Sequence, residues 1–193
     1  MEIDQHDMIA REMLKEHDQP TVFFLTGERI GLRAVTEADI NQRYLAWMND
    51  PMTTRYLQFR AFPQTLADLK AYWLAQQKKE ILFLAICLLD GTHIGNIHVG
   101  PISWIDRRAD VAFILGDVSQ RGKGYMTEAL GLVEDHCFKT LGLNRLQAGF
   151  EVDNEGSLKV FRKRNWKPEG FRRQFFFRDG YFVDVENVAK LKQ

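Results

Sequence analysis

The spacing of hydrophobic and polar positions changes several times along the chain, and each change predicts an element. Residues 1–20 are polar and end at Pro20; Met8, Ile9, Met13 and Leu14 put one narrow apolar stripe on a short helix. This stretch reads as an N-terminal appendage to a domain over 21–193. From 22 to 35, Ile30, Leu32 and Ala34 alternate with Gly31 and Arg33, and Gly27 supplies a turn, which predicts a hairpin or two short strands. Thr36, with Glu37 and Asp39 behind it, has the signature of a helix start. The helix it opens would carry Ile40, Tyr44, Leu45, Trp47 and Met48 and stop before Asp50-Pro51. A second helix is predicted from Thr65 through Leu66, Leu69, Tyr72, Trp73 and Leu74.

The middle of the chain favours strands. The apolar run at 81–89 ends at Asp90-Gly91, a strong hairpin turn, and 92–99 alternates until Gly100-Pro101 breaks it. Residues 109–115 give another strand, closed by Gly116-Asp117. The period then switches: Met126, Ala129, Leu130, Val133, Cys137 and Phe138 fall at helical spacing, and Gly142 ends that helix. A strand at 145–152, a short helix at 155–164 and a last hairpin turning at Asp179-Gly180 complete the order. Such an order packs as one mixed α/β domain, without internal repeat or linker.

Composition narrows the function classes. Of 193 residues 45% are hydrophobic, enough for a core, and 26 basic residues balance 26 acidic ones. That balance speaks against a nucleic-acid binder or an anionic-membrane binder. Cys87 and Cys137 sit in apolar runs outside any metal or redox spacing, so two buried, reduced thiols and no metal are expected. The N-terminus lacks a basic stretch with an apolar core behind it, and no run is apolar enough to span a membrane, so a cytoplasmic location is expected.

Chemistry concentrates at Val118-Ser119-Gln120-Arg121-Gly122-Lys123-Gly124-Tyr125, between a strand and a helix. Glycine lets backbone approach an anion and take positive φ. The first amides of the following helix have no partner within it and, with the helix dipole, suit a pyrophosphate. Arg121 and Lys123 can add charge-assisted contacts. The spacing is neither that of a Walker loop nor that of a dinucleotide fingerprint, which would need glycine at Thr127.

Further motifs follow in order: LTGERIGLRAVTEAD at 25–39, YLAWMNDP at 44–51, GNI at 95–97, RGKGYMTEA at 121–129, NRLQAGFEVDNEGSLKVFRK at 144–163, EGFRR at 169–173 and DGYFVDV at 179–185. Together they resemble the GNAT superfamily of N-acetyltransferases, over most of residues 24–187. The resemblance is to its RimJ/RimL-type branch, which includes N-terminal and amino-sugar acetyltransferases. Two positions depart from the pattern. Ser119 stands where the superfamily has Gln or Arg, and Asn165-Trp166 stands for the usual Gly-Phe, with Asn the next-best residue for a left-handed helix exit.

The resemblance implies a mixed, mostly antiparallel sheet flanked by helices, with a splay between two central strands. It also implies transfer of an acetyl group from acetyl-CoA to a primary amine by direct attack through a tetrahedral intermediate, with no metal. Phe113, Ile114 and Leu115 would hold the pantetheine arm. Gln120, Arg121, Gly122, Lys123, Gly124 and Tyr125 would hold the diphosphate, and Asn154, Phe161 and Lys163 would complete the cofactor site. Ser157 would protonate or hydrogen-bond the leaving thiolate. Asp110 is the first candidate for general base, His98 the second and Glu169 the third. Tyr56, Phe59 and Trp104 would border the acceptor.

The acceptor expected is a small molecule such as a nucleotide-linked amino sugar, with a protein N-terminus as the alternative. Dimerisation through the C-terminal strand is an open expectation. Two other classes compete: a non-catalytic acyl-CoA sensor, and a nucleic-acid module using Arg162, Lys163, Arg164, Lys167, Arg172 and Arg173.

Overall fold

A computed structural model describes residues 21–193; the N-terminal appendage expected over 1–20 lies outside them. Eight strands form one sheet in the order β1-β2-β3-β4-β5-β6-β8-β7. They are β1 (Leu25–Thr26), β2 (Ile30–Ala34), β3 (Leu82–Leu88), β4 (His93–Val99), β5 (Arg108–Leu115), β6 (Arg145–Glu151), β7 (Lys167–Arg178) and β8 (Tyr181–Leu191). Every neighbouring pair is antiparallel except β5 and β6, which run parallel. Among the described residues four α-helices accompany the sheet: α1 (Gln42–Asn49), α2 (Leu66–Ala75), α3 (Tyr125–Asp135) and α4 (Glu155–Lys163). A wider π turn, His136–Thr140, extends α3. This is the mixed α+β arrangement expected.

The helix expected to open at Thr36 starts later. Thr36 does form a capping box with Asp39, but the Asp39 carboxylate is also gripped by both terminal nitrogens of Arg33 on β2, each at 2.7 Å. One 3-10 turn, Glu37–Asp39, results. Asn41 caps the true helix, its Oδ1 accepting from the amides of Arg43 and Tyr44. No local pattern distinguishes these two caps, because the tie to Arg33 is tertiary.

The sheet is covered on both faces. Ile30, Leu84, Ile86, Ile94, Ile97 and Val111 pack with Leu130, Val133 and Cys137 of the α3 region. On the other face Ala85 and Cys87 pack with Val35 and Trp73, beside a cluster of Tyr44, Trp47, Met48 and Leu69 from α1 and α2. A β-bulge in the β3–β4 pairing, between Ile86 and Cys87, shifts the alternation there. His93, Asn96 and His98 thereby share the α1–α2 side of β4, while Ile94, Ile97 and Val99 enter the other core. Both cysteines are buried and free, and burial pushes their thiols up, Cys87 to about 11 and Cys137 to about 12.

Glu134, at the end of α3, is 1% exposed and is the main polar anchor of the fold. It accepts from Arg164 (2.6 Å), Trp166 Nε1 (2.6 Å) and Lys190 Nζ (2.6 Å). These contacts tie α3 to the segment after α4 and to β8. Asn165 exits α4 at φ 61°, the left-handed turn expected of it, and so delivers Trp166 to the core.

Removing one partner of a buried ion cluster strands the others. Glu134→Ala is therefore expected to cost about 3–5 kcal/mol in urea unfolding. Glu155→Ala, which breaks an exposed α4 pair with Lys159, should leave the same measurement nearly unchanged.

Candidate active site

β5 and β6 pair only at Arg108–Arg145, Ala109–Leu146 and Asp110–Gln147. Beyond that rung β6 pairs with β8 alone, through Ala148 to Glu151, and β5 with β4 alone, through Val111 to Leu115. The strands therefore part as the splay requires, and the β5 edge at 112–115 faces the opening without a strand partner. Phe113 of β5, Phe150 of β6 and Phe161 of α4 fill its floor, with ring centroids 5.3 and 5.4 Å apart. Phe161 is thus a buried wall of the cleft.

The bend after β5 lies at the same end. Asp117 caps a 3-10 turn, Val118–Gln120, and holds Ser119 through its backbone and hydroxyl, so Ser119 needs no long polar side chain there. Gly122 and Gly124 have φ of 76° and 87°, and Gly124 is the N-cap of α3. Among the described residues the amides of 122–127 have no backbone or side-chain acceptor; the first bond of the series is Glu128 N–H to the Gly124 carbonyl. A Cβ built on Gly122 meets nothing within 4 Å, so the space above the bend is open. Open space, converging amides and a helix start fit a diphosphate.

The side chains of this bend are partly engaged. Arg121 donates to the Leu115 carbonyl (3.2 Å) and Thr53 Oγ1 (3.1 Å), and Lys123 Nζ to Gln120 Oε1 (2.9 Å). None of these acceptors is anionic, so both positive charges stay available to the bend. Arg29 is a residue the sequence reading missed. Its guanidinium donates to the Lys123 carbonyl (2.9 Å), pairs with Glu128 (2.9 Å) and lies 5.1 Å above the Tyr125 ring. It braces the bend from β1–β2, nearly a hundred positions away, where no local motif could reveal it.

Across the opening, Asn154 caps α4 by accepting the Ser157 amide at 3.1 Å. Asn154 Nδ2 and Ser157 Oγ have no hydrogen-bond partner among the described residues, and both side chains are half-buried. Lys163 is exposed at the far end of α4.

On the α1–α2 side of β4 and β5 lies a cavity of about 280 Å³, bordered by Tyr44, Phe59, Tyr72, Phe83, Asn96, His98 and residues 112–114. His98 Nε2 lies 3.0 Å from Gln76 Oε1, which makes Nε2 the protonated nitrogen and leaves Nδ1 its lone pair. Burial holds the His98 imidazole below its ordinary value, against a smaller opposing pull from Asp110, so it is neutral at pH 7. Asp110 is exposed and accepts from Gln147 Nε2 at 3.0 Å; it pairs with neither Arg107 nor Arg108. Glu169 is gripped by Arg145, which holds its carboxyl below the usual range and leaves it a poor base. Phe59 lines the cavity, Tyr56 donates to the Asp153 carbonyl, and Trp104 stands half-exposed in the β4–β5 loop.

An extended thioester with an anionic end can lie along such a parting with its diphosphate on the bend, so fold and bend together define an acyl-CoA-dependent transferase. The chain belongs to the GNAT acetyltransferase family: residues 29–166 match the acetyltransferase (GNAT) domain. It is 30% identical to spermidine N(1)-acetyltransferase of Escherichia coli K12 over 156 residues, 80% of this chain and 77% of that protein. Its fold superposes on spermidine N-acetyltransferase from Vibrio cholerae in complex with CoA and spermine, with TM-score 0.77 at 19% identity over 84% of this chain and 95% of the other. It superposes equally on RimL, a ribosomal L7/L12 alpha-N-protein acetyltransferase in complex with coenzyme A, with TM-score 0.77 at 20% identity over 86% and 95%. The protein is an acetyl-CoA-dependent N-acetyltransferase with RimJ/RimL-like relatives. No group of residues suited to a metal occurs among those described, and no described helix is long and apolar enough to cross a membrane.

Alanine at a left-handed position costs about 1–2 kcal/mol. At Gly124 its Cβ would also come within 3.4 Å of Arg29. Gly124→Ala is expected to raise the CoA dissociation constant about tenfold by calorimetry. Gly142→Ala, equally strained but remote (φ 67°), should lower stability and leave CoA affinity unchanged.

Proposed function

We propose that the chain acetylates a small primary amine whose reacting end enters the 280 Å³ cavity, with His98 as general base. The observation that carries this reading is His98, its Nε2 held by Gln76 Oε1 and its ring bordering the cavity that residues 112–114 share with the parted edge of β5. Acetyl-CoA supplies the thioester carbonyl. The edge of 113–115 that faces away from β4 orients the pantetheine arm, the amides of 122–127 bind the diphosphate, and Asn154 Nδ2 donates to the arm. His98 Nδ1 takes a proton from the incoming ammonium, and Ser157 Oγ donates to the departing sulfur. Asp110, tied to Gln147 and exposed, tunes His98 by charge rather than acting as the base itself.

Three features bear on the acceptor. The residues bordering the inner cavity include no Asp or Glu, so the extra ammonium groups of a polyamine would be buried without a counter-ion. A wider cleft of about 570 Å³ opens outside it, sharing Met48. Its arginines are already paired, Arg60 with Asp179 (2.8 Å) and Arg178 with Glu151 (2.7 Å), and Arg55 nearby faces Asp153. A nucleotide diphosphate would have to compete with those carboxylates. The small amine is therefore the acceptor favoured over a nucleotide-linked sugar, and the wide cleft leaves room for a larger body behind the reacting amine.

Thiol release from acetyl-CoA should be measured with apolar monoamines, amino sugars, peptide N-termini and spermidine. Apolar monoamines are expected to give the highest kcat/KM. A clear lead for spermidine would reject the acceptor assignment, and CoA binding without any turnover would favour a sensor.

The pH profile tests His98. A base must be deprotonated, so kcat/KM should rise with pH through an apparent pKa below the ordinary imidazole value of about 6.5. His98→Asn should cost about 10²-fold in kcat and remove that acid limb. An unchanged limb in the variant would overturn the role.

A further inference from the structure

Asn96 is 3% exposed on the central strand β4, and neither its Nδ2 nor its Oδ1 has a hydrogen-bond partner. Buried carboxamides with both ends idle are rare, because each orphaned atom has given up water for nothing. Its neighbours across the sheet, Ala85 on β3 and Ile114 on β5, offer only backbone already used in pairing. Asn96 is among the residues that border the cavity that also holds His98, two residues along the same face of the strand, and its two amide atoms are buried just behind that wall. Apart from these two, the walls are mostly apolar and aromatic, with Tyr44, Leu57, Phe59, Leu69, Tyr72 and Phe83 among them.

We infer that Asn96 is a specificity-determining residue that binds an uncharged group of the acceptor, an amide or a hydroxyl, beside the reacting amine. The inference rests on the acetyl-transfer reading above and narrows its substrate class. The chemistry of the two idle atoms selects the ligand group. Nδ2 only donates and Oδ1 only accepts. A carboxylate, which only accepts, would leave Oδ1 unmatched, and an ammonium, which only donates, would leave Nδ2 unmatched. An amide or hydroxyl does both and brings no charge into a cavity without a counter-ion. The apolar walls suit an aromatic or aliphatic body on the same molecule. The acceptor class is thus a primary amine on an apolar body that carries a neutral amide or hydroxyl.

Four matched amines test this: phenylalaninamide, phenylalaninol, phenethylamine and phenylalanine, each followed by thiol release with acetyl-CoA, alongside CoA binding and thermal unfolding. The wild-type protein should prefer the amide and the alcohol over phenethylamine by at least about tenfold in kcat/KM, with phenylalanine lowest. Asn96→Leu should bring phenylalaninamide to within about twofold of phenethylamine, keep CoA affinity and raise Tm, because an apolar side chain of similar size relieves two orphaned atoms. Asn96→Ala gives the same comparison of acceptors should the leucine variant fold poorly. No wild-type preference, a uniform loss over all four amines with a lowered Tm, or CoA binding without turnover of any of the four would each overturn the inference. Loss of CoA binding by the wild-type protein would instead remove the acetyl-transfer reading beneath it.

Discussion

The structure depends on how briefly β5 and β6 stay together. Three parallel rungs join them, and then each strand keeps only its outer neighbour. Strands that separate inside a sheet strip backbone donors and acceptors of their partners, an arrangement that holds only if something else enforces it. Here the rings of Phe113, Phe150 and Phe161 sit at the floor of the opening, and β8 pairs with β6 along its whole length. Arg121 reaches back to the Leu115 carbonyl at the mouth. The parted edge is therefore a rigid slot, with main-chain polar groups left to meet an extended ligand.

Charge follows the same economy. Across the chain acids and bases balance, and around the wide outer cleft the arginines face carboxylates. At the bend after β5 the pattern reverses: Arg121 and Lys123 meet only neutral acceptors, and the amides at the start of α3 add their own partial charge. Positive potential is thus concentrated where an anionic end would rest. Two buried or half-buried acids fix that bend in space. Glu134 anchors the far end of α3 to Arg164, Trp166 and Lys190, and Glu128 in its first turn pairs with Arg29.

The cavity on the α1–α2 side obeys a different rule. It is built from α1, α2 and one face of β3–β5, and its apolar walls make any polar group within them conspicuous. His98 meets the demand by bonding Gln76 and staying neutral; Asn96 does not meet it at all within the protein. The β-bulge between β3 and β4 is what brings both side chains to this face. Without that one-residue shift, the alternation running from His93 would have sent them into the core beneath α3.

Much of this was legible in the chain itself. Alternation marked β2 and β4, the change of period at Met126 marked α3, and Gly122 and Gly124 marked the bend before it, because spacing and positive-φ residues are local properties that need no partner to be read. The ordered motifs were enough to place the family. Tertiary contact decided the rest. Arg33 claimed Asp39 and pushed the start of the first helix from Thr36 to Asn41, and Arg29 reached across the sheet to brace a bend whose own sequence does not mention it. Glu169, plausible as a base by position, was taken by Arg145, whereas Asn96, unremarkable in GNI, was left buried with no partner. Sequence spacing tells which residues can share a face, but whether a polar group is occupied or idle depends on what the folded chain brings beside it.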